Sequence, residues 1–134
     1  MSEQLQDDSG IHVLLVDDNE DQAFIAIETL SQDGRIEVTD VISGQACLDK
    51  LDENTYDLVI LDYSMPQMTG MEVLRKMRSS GIDVPVIMVT GYGDERVAVD
   101  AMKLGAADYI IKSGHYHELL PAIVLRTIEA QRHK

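Results

Sequence analysis

The chain contains one cysteine, Cys47, which excludes an internal disulfide and any cysteine-based zinc site. It is also short of positive charge: 11 Lys and Arg stand against 24 Asp and Glu, a formal net charge of −13 over 134 residues. So acidic a chain repels phosphate backbones, and nucleic acid is not an expected partner. No apolar stretch approaches the roughly 20 residues that span a bilayer. The N-terminus lacks a basic-then-apolar signal pattern, so no membrane insertion is expected and the cytoplasm is the expected location. His12, His115, His117 and His133 show no ligand spacing to one another, and His115 and His117 read as loop residues. What remains is ordinary: 45% hydrophobic and 26% charged residues, at a length that supports one domain with one substantial core.

The most informative stretch is Tyr56-Asp57-Leu58-Val59-Ile60-Leu61-Asp62-Tyr63-Ser64-Met65-Pro66. Four apolar residues without alternation predict a strand covered on both faces, the habit of a parallel sheet. The run stops on a carboxylate and enters a proline-containing loop. Ligands of such sheets bind outside the carboxyl ends of the strands, so Asp62 stands where chemistry is done.

Three other segments repeat this pattern. Ile11 to Val16 is apolar apart from His12 and ends on Asp17 and Asp18; Val84 to Val89 ends on Thr90; Ala107 to Ile111 ends on Lys112. Ile36 to Val41 alternates instead and predicts a half-covered edge strand. Between the strands lie helical segments. One starts at Asn19-Glu20-Asp21, with Ala23, Phe24, Ile27 and Leu30 expected inward and Ile25 outward. A second runs from the Ser43 cap to about Asn54, with Ala46, Leu48 and Leu51 inward and Cys47 in or near the core. A third, about Met71 to Ser80, presents Val73, Leu74 and Met77; the methionines from Met65 to Met77 read as core and loop. A fourth follows an Asp94 cap with Val97, Ala101 and Leu104 inward. A last one covers roughly Glu118 to Gln131, with Pro121 in its first turn. The residues before Ile11, Met1 to Gly10, are acidic and aperiodic and predict a mobile tail. Five alternations of strand and helix give an α/β fold, a doubly wound parallel sheet with helices on both faces.

In a parallel sheet the strand ends share one rim, which gathers Asp17, Asp18, Asp62, Thr90 and Lys112. Two unit charges about 4 Å apart repel by roughly 4 kcal/mol at an effective dielectric near 20. Three carboxylates therefore require a divalent cation, a raised pKa or the Lys112 ammonium. Oxygen-only ligands suit Mg²⁺. A carboxylate, Mg²⁺, a lysine and a hydroxyl together predict phosphoryl transfer, with Asp62 attacking phosphorus to give an acyl phosphate. Lys112 would neutralise charge on the transferred group, and Thr90 would hydrogen-bond one of its oxygens.

Leu14-Leu15-Val16-Asp17-Asp18, Leu61-Asp62-Tyr63-Ser64-Met65-Pro66 with Met68-Thr69-Gly70, Val89-Thr90-Gly91 and Gly105 to Lys112 together resemble the receiver domains of two-component response regulators. The resemblance spans about residues 11 to 131. It implies a chemotaxis-regulator-like, flavodoxin-like fold with strand order 2-1-3-4-5. It further implies Asp62 as phosphoacceptor, Asp18 and the Ser64 backbone carbonyl as direct Mg²⁺ ligands, and Asp17 as a ligand through water. Thr90 and Tyr109 correspond to the switch pair, and Ser64 and Tyr92 to the positions that tune acyl-phosphate lifetime; Tyr92 is expected to cover the phosphoryl group partly against water. The implied donor is a phosphohistidine on a sensor kinase or phosphotransfer protein, docking over the first helix at Ile25 with Asn19 and Gln22.

The family usually has proline joined by a cis bond after the lysine; here Ser113-Gly114 follows Lys112. A cis bond before a non-proline costs about 3–4 kcal/mol, so a trans bond and a reshaped loop are expected. No output domain is legible, and partner binding is the expected output unless the chain is cut from a longer protein; Thr127 to Lys134 reads as a possible helical linker. Two other readings compete. An aspartate-nucleophile phosphatase of the haloacid dehalogenase kind needs a second Asp two residues after the nucleophile, where this chain has Ser64. An unphosphorylated binding platform would have no use for Asp18, Asp62, Thr90 and Lys112 together.

Overall fold

The computed structural model describes residues 10–91 and 94–132. All but the last residue of the expected tail, and Tyr92, lie outside the described residues. The elements run β1 (Ile11–Val16), α1 (Glu20–Leu30), β2 (Ile36–Val41), α2 (Gly44–Glu53), β3 (Leu58–Asp62), α3 (Gly70–Ser79), β4 (Val86–Gly91), α4 (Glu95–Lys103) and β5 (Asp108–Lys112). A 3₁₀ turn at Tyr116–Leu119 then leads into α5 (Leu120–Arg132). All strand pairs are parallel, in the order β2-β1-β3-β4-β5.

Alternation along the strands divides the core in two. Val13, Leu15, Leu58, Ile60, Ile87, Val89 and Ile110 face α1 and α5. Leu14, Val16, Val59, Leu61, Val86 and Met88 face α2, α3 and α4. The unbroken apolar runs of β1, β3 and β4 follow from this double coverage. β2 lies at the edge, and only Ile36 in it is fully buried.

The helices begin where the sequence supplies caps. Asn19 accepts the Gln22 N–H at 3.0 Å and Ser43 accepts the Ala46 N–H at 3.1 Å. Thr69 and Glu72 exchange bonds of 3.2 and 2.8 Å in a full capping box. Asp94 precedes α4 but makes no side-chain cap bond, contrary to the expectation.

Phe24 is a second correction. It is 63% exposed, and the inward face of α1 is Ala23, Ala26 and Leu30, with Ile27 partly buried. At about 100° per residue the stripe through Ala23, Ala26 and Leu30 leaves Phe24 on the flank, beside Ile25, which is also exposed. In α4 the fully buried positions are Ala98 and Ala101, while Val97 and Leu104 are only half-buried. Cys47 is fully buried, deeper than Ala46, Leu48 and Leu51. Val73, Leu74 and Met77 are buried as expected.

Gly70 fixes the position of the loop after β3. A Cβ there would lie 2.6 Å from the Asp62 carbonyl oxygen and 2.9 Å from the Tyr63 Cα, both backbone atoms. The Gly70 N–H also donates to the Tyr63 carbonyl at 2.9 Å. Gly70→Ala is expected to cost about 1–3 kcal/mol, because overpacking here must move backbone rather than a side chain. Urea unfolding followed by circular dichroism measures it.

Candidate functional site

Parity along the strands decides which side chains meet. Asp62 follows Leu58 and Ile60 on the α1/α5 face, Lys112 follows Ile110, and Asp17 continues from Val13 and Leu15. The pairing Val16↔Leu61 brings Asp17 level with Asp62 at the rim. The carboxylates of Asp17, Asp18 and Asp62 each offer an oxygen, all within 4.8 Å of one another. Asp17 and Asp62 are buried and Asp18 is exposed, so the cluster opens to solvent on one side.

The Lys112 ammonium lies 3.2 Å from Asp62 Oδ2, and the Ser64 N–H donates to Asp62 Oδ1 at 3.2 Å. The Asn19 N–H donates to Asp17 Oδ1 at 2.8 Å. Burial pushes the Asp62 carboxyl up to about 6; Lys112 opposes this, the Asp17 charge adds to it, and the Ser64 N–H opposes it. Thr90 lies on the opposite parity, after Val86 and Met88, and is fully buried. Its Oγ1 has no hydrogen-bond partner among the described residues. A buried hydroxyl without a partner is costly and points to an acceptor that arrives from outside.

Tyr109 shares the Thr90 side of the sheet, pairs with Met88 in register and is 41% exposed. Ser64 and Ile25 are exposed; Asn19 caps α1 and also binds Asp17 through its backbone. Gln22, expected along the docking face, instead turns its amide inward, and its Oε1 accepts from Lys112 Nζ at 2.7 Å. Among the described residues no peptide bond is cis, which includes the bond into Ser113.

Sequence reasoning missed two residues of the wall. Tyr116 is buried and lines a small cavity with Asp17, Asp62 and Leu120. Its hydroxyl is pushed up by burial and by the charges of Asp17 and Asp62. His117, taken as a loop residue, stands in the 3₁₀ turn against Tyr116, with ring centroids 3.9 Å apart. Burial and the nearby Lys112 push its imidazole down, while Asp17 and the Gln22 backbone carbonyl act the other way. No motif in the sequence marks either residue as a neighbour of the rim.

The family model "Response regulator receiver domain" matches residues 13–124. The chain belongs to the response regulator receiver family. The transcriptional regulatory protein DltR of Streptococcus agalactiae is 36% identical over 114 residues, 85% of this chain and 51% of DltR. The response regulator protein TodT of Pseudomonas putida is 32% identical over 119 residues, 89% of this chain and 52% of TodT. This receiver domain thus spans about half the length of these two relatives. A response regulator receiver domain protein from Clostridium thermocellum superposes with a TM-score of 0.80 at 31% identity, covering 90% of this chain and 96% of that one.

Receiver domains use Mg²⁺ at an acidic pocket, and the donor set here fits such an ion. Three hard oxygen donors converge, two of them buried, with the single Lys112 ammonium against them. The sign of the Asp62 shift makes this testable. With the folded-state pKa raised from 3.8 to about 6, the folded protein holds a proton that the unfolded chain has lost between those values. Without metal, stability therefore falls as pH rises from about 4 to about 6 and stays lower above. Thermal melts in EDTA should show this fall in wild type and a flatter profile in Asp62→Asn. Millimolar Mg²⁺ should raise the wild-type Tm by several degrees at pH 7.5 and little at pH 4.5.

Proposed function

We propose that this receiver domain accepts a phosphoryl group on Asp62 from a phosphohistidine of a sensor kinase or phosphotransfer protein, and that phosphorylation changes which downstream protein it binds. The observation that carries the reading is a buried carboxylate with an ammonium at 3.2 Å, two further carboxylates alongside and an unpartnered buried hydroxyl.

An Asp62 carboxylate oxygen attacks phosphorus, the P–N bond to the donor imidazole breaks, and the electron pair leaves with the imidazole. No general base is needed, because the ionised carboxylate is already the nucleophile. Asp17, Asp18, Asp62 and the Ser64 carbonyl would hold Mg²⁺, which when bound neutralises charge on the phosphoryl oxygens. Lys112 supplies a second positive charge from the protein, and Thr90 offers a donor to one phosphoryl oxygen. Hydrolysis reverses the state: water attacks phosphorus and the P–O bond to Asp62 breaks. Ser64 and Tyr92 are the residues assigned to the rate of that step.

Switching then requires contacts present in one state and absent in the other. Thr90 gains an acceptor only when phosphate is present, and Tyr109 responds when Thr90 moves toward it. Asn19 and Ile25 form the docking edge for the donor, with Phe24 added to it by its exposure. The acidic charge speaks against nucleic acid as a direct ligand of this domain, and among the described residues no helix is long and apolar enough to cross a membrane. The cytoplasm is the location that fits a kinase-linked partner of this kind.

Incubation with Mg²⁺ and a small acyl-phosphate donor should add one phosphoryl group by mass, mapped to Asp62 and absent in Asp62→Asn. A wild-type protein that stays unlabelled overturns the reading. Ile25→Glu should slow transfer from a phosphohistidine-bearing protein by about tenfold, since it places a charge in an apolar contact. Labelling by the small donor should not change. Equal effects on both reactions would remove the docking assignment.

A further inference from the structure

Lys112 has three N–H donors and no acceptor. Its shortest bond is not to a carboxylate. Nζ stands 2.7 Å from the neutral amide oxygen of Gln22 and 3.2 Å from Asp62 Oδ2. A charge-assisted N–H···O bond to a carboxylate usually closes to about 2.7–2.9 Å. The amide therefore holds the shorter bond, and the ammonium's bond to the nucleophile is the longer of the two.

Gln22 is itself fixed. Its backbone N–H donates to the Asn19 side-chain oxygen at 3.0 Å. Gln22 is half-buried in the first turn of α1, so its side chain has a short, constrained reach to the rim.

We propose that Gln22 is a positioning residue for the phosphorylation reaction: its amide holds the Lys112 ammonium beside Asp62 rather than on it. The nucleophilic carboxylate is thereby left incompletely paired, and the ammonium keeps an N–H for an incoming phosphoryl oxygen. Without the amide, Asp62 is the partner left to the ammonium among the described residues. The ammonium closes onto the carboxylate, which both masks the nucleophile and uses up the charge the transferred group needs. This inference rests on the phosphoacceptor reading above.

The test compares wild type with Gln22→Met, which keeps the length and removes the acceptor. Gln22→Asn serves as a second variant, since it keeps an amide one methylene too short to reach. Thermal melts establish that both are folded. Labelling by a small acyl-phosphate donor with Mg²⁺ is measured as a function of donor concentration. Both variants should show a maximal rate about five- to tenfold below wild type, with half-saturation by donor unchanged. Equilibrium affinity for beryllofluoride, a phosphoryl mimic that requires no transfer, should weaken by a similar factor. In a Lys112→Ala background, Gln22→Met should change neither quantity further.

Wild-type rate and beryllofluoride affinity in both folded variants would overturn the role of Gln22. So would an undiminished effect of Gln22→Met in the Lys112→Ala background, which marks a general packing defect. A wild type that takes no label in the same experiment fails the phosphoacceptor reading itself, and the proposal with it. That failure is distinct from a labelled wild type whose variants behave normally.

Discussion

The site is organised around a repulsion. Three carboxylates are drawn to one corner of a parallel sheet, two of them out of water, against one ammonium. Left alone such a cluster would spread, since each pair at about 4 Å costs roughly 4 kcal/mol at moderate dielectric. The sheet prevents this. β1 and β3 are adjacent and in register, and the hydrophobic side chains behind them are fully buried on both faces. The core supplies the rigidity, and the rim holds an excess of negative charge that a cation would offset.

Everything else near the rim distributes charge and hydrogen bonds around that demand. The Ser64 and Asn19 N–H groups each reach a carboxylate two residues earlier in the chain. Gly70 lets the loop after β3 close against the Asp62 carbonyl without a side chain in between. Lys112 is divided between a carboxylate and an amide. Tyr116 lines the small cavity beside Asp17 and Asp62, and His117 packs against its ring.

Much of this was legible in the sequence because it depends on periodicity and on where strands stop. Apolar runs ending on Asp17, Asp62, Thr90 and Lys112 specify both the sheet and its polar rim, and the strand order and parallel pairing bear out the implied fold. The failures have a different origin. Spacing alone places Phe24 on one stripe with Ala23, Ile27 and Leu30, whereas the buried face of α1 is centred on Ala23, Ala26 and Leu30. Asp94 has a cap's chemistry and its position, yet its side chain makes no cap bond. Gln22, Tyr116 and His117 are tertiary neighbours of the rim, separated from their partners by up to 90 positions. No local pattern encodes such a meeting. A polar side chain reads as solvent-facing until the opposing segment is in place.

The division of the rim by strand parity has a consequence for traffic through the domain. Asp62 and Lys112 belong to the layer under α1 and α5, whereas Thr90 and Tyr109 belong to the layer over α3 and α4. A protein handing over phosphate across α1 and a protein sensing Tyr109 would approach from opposite sides of one thin slab. On the proposed roles the two partners would therefore meet different faces of the sheet.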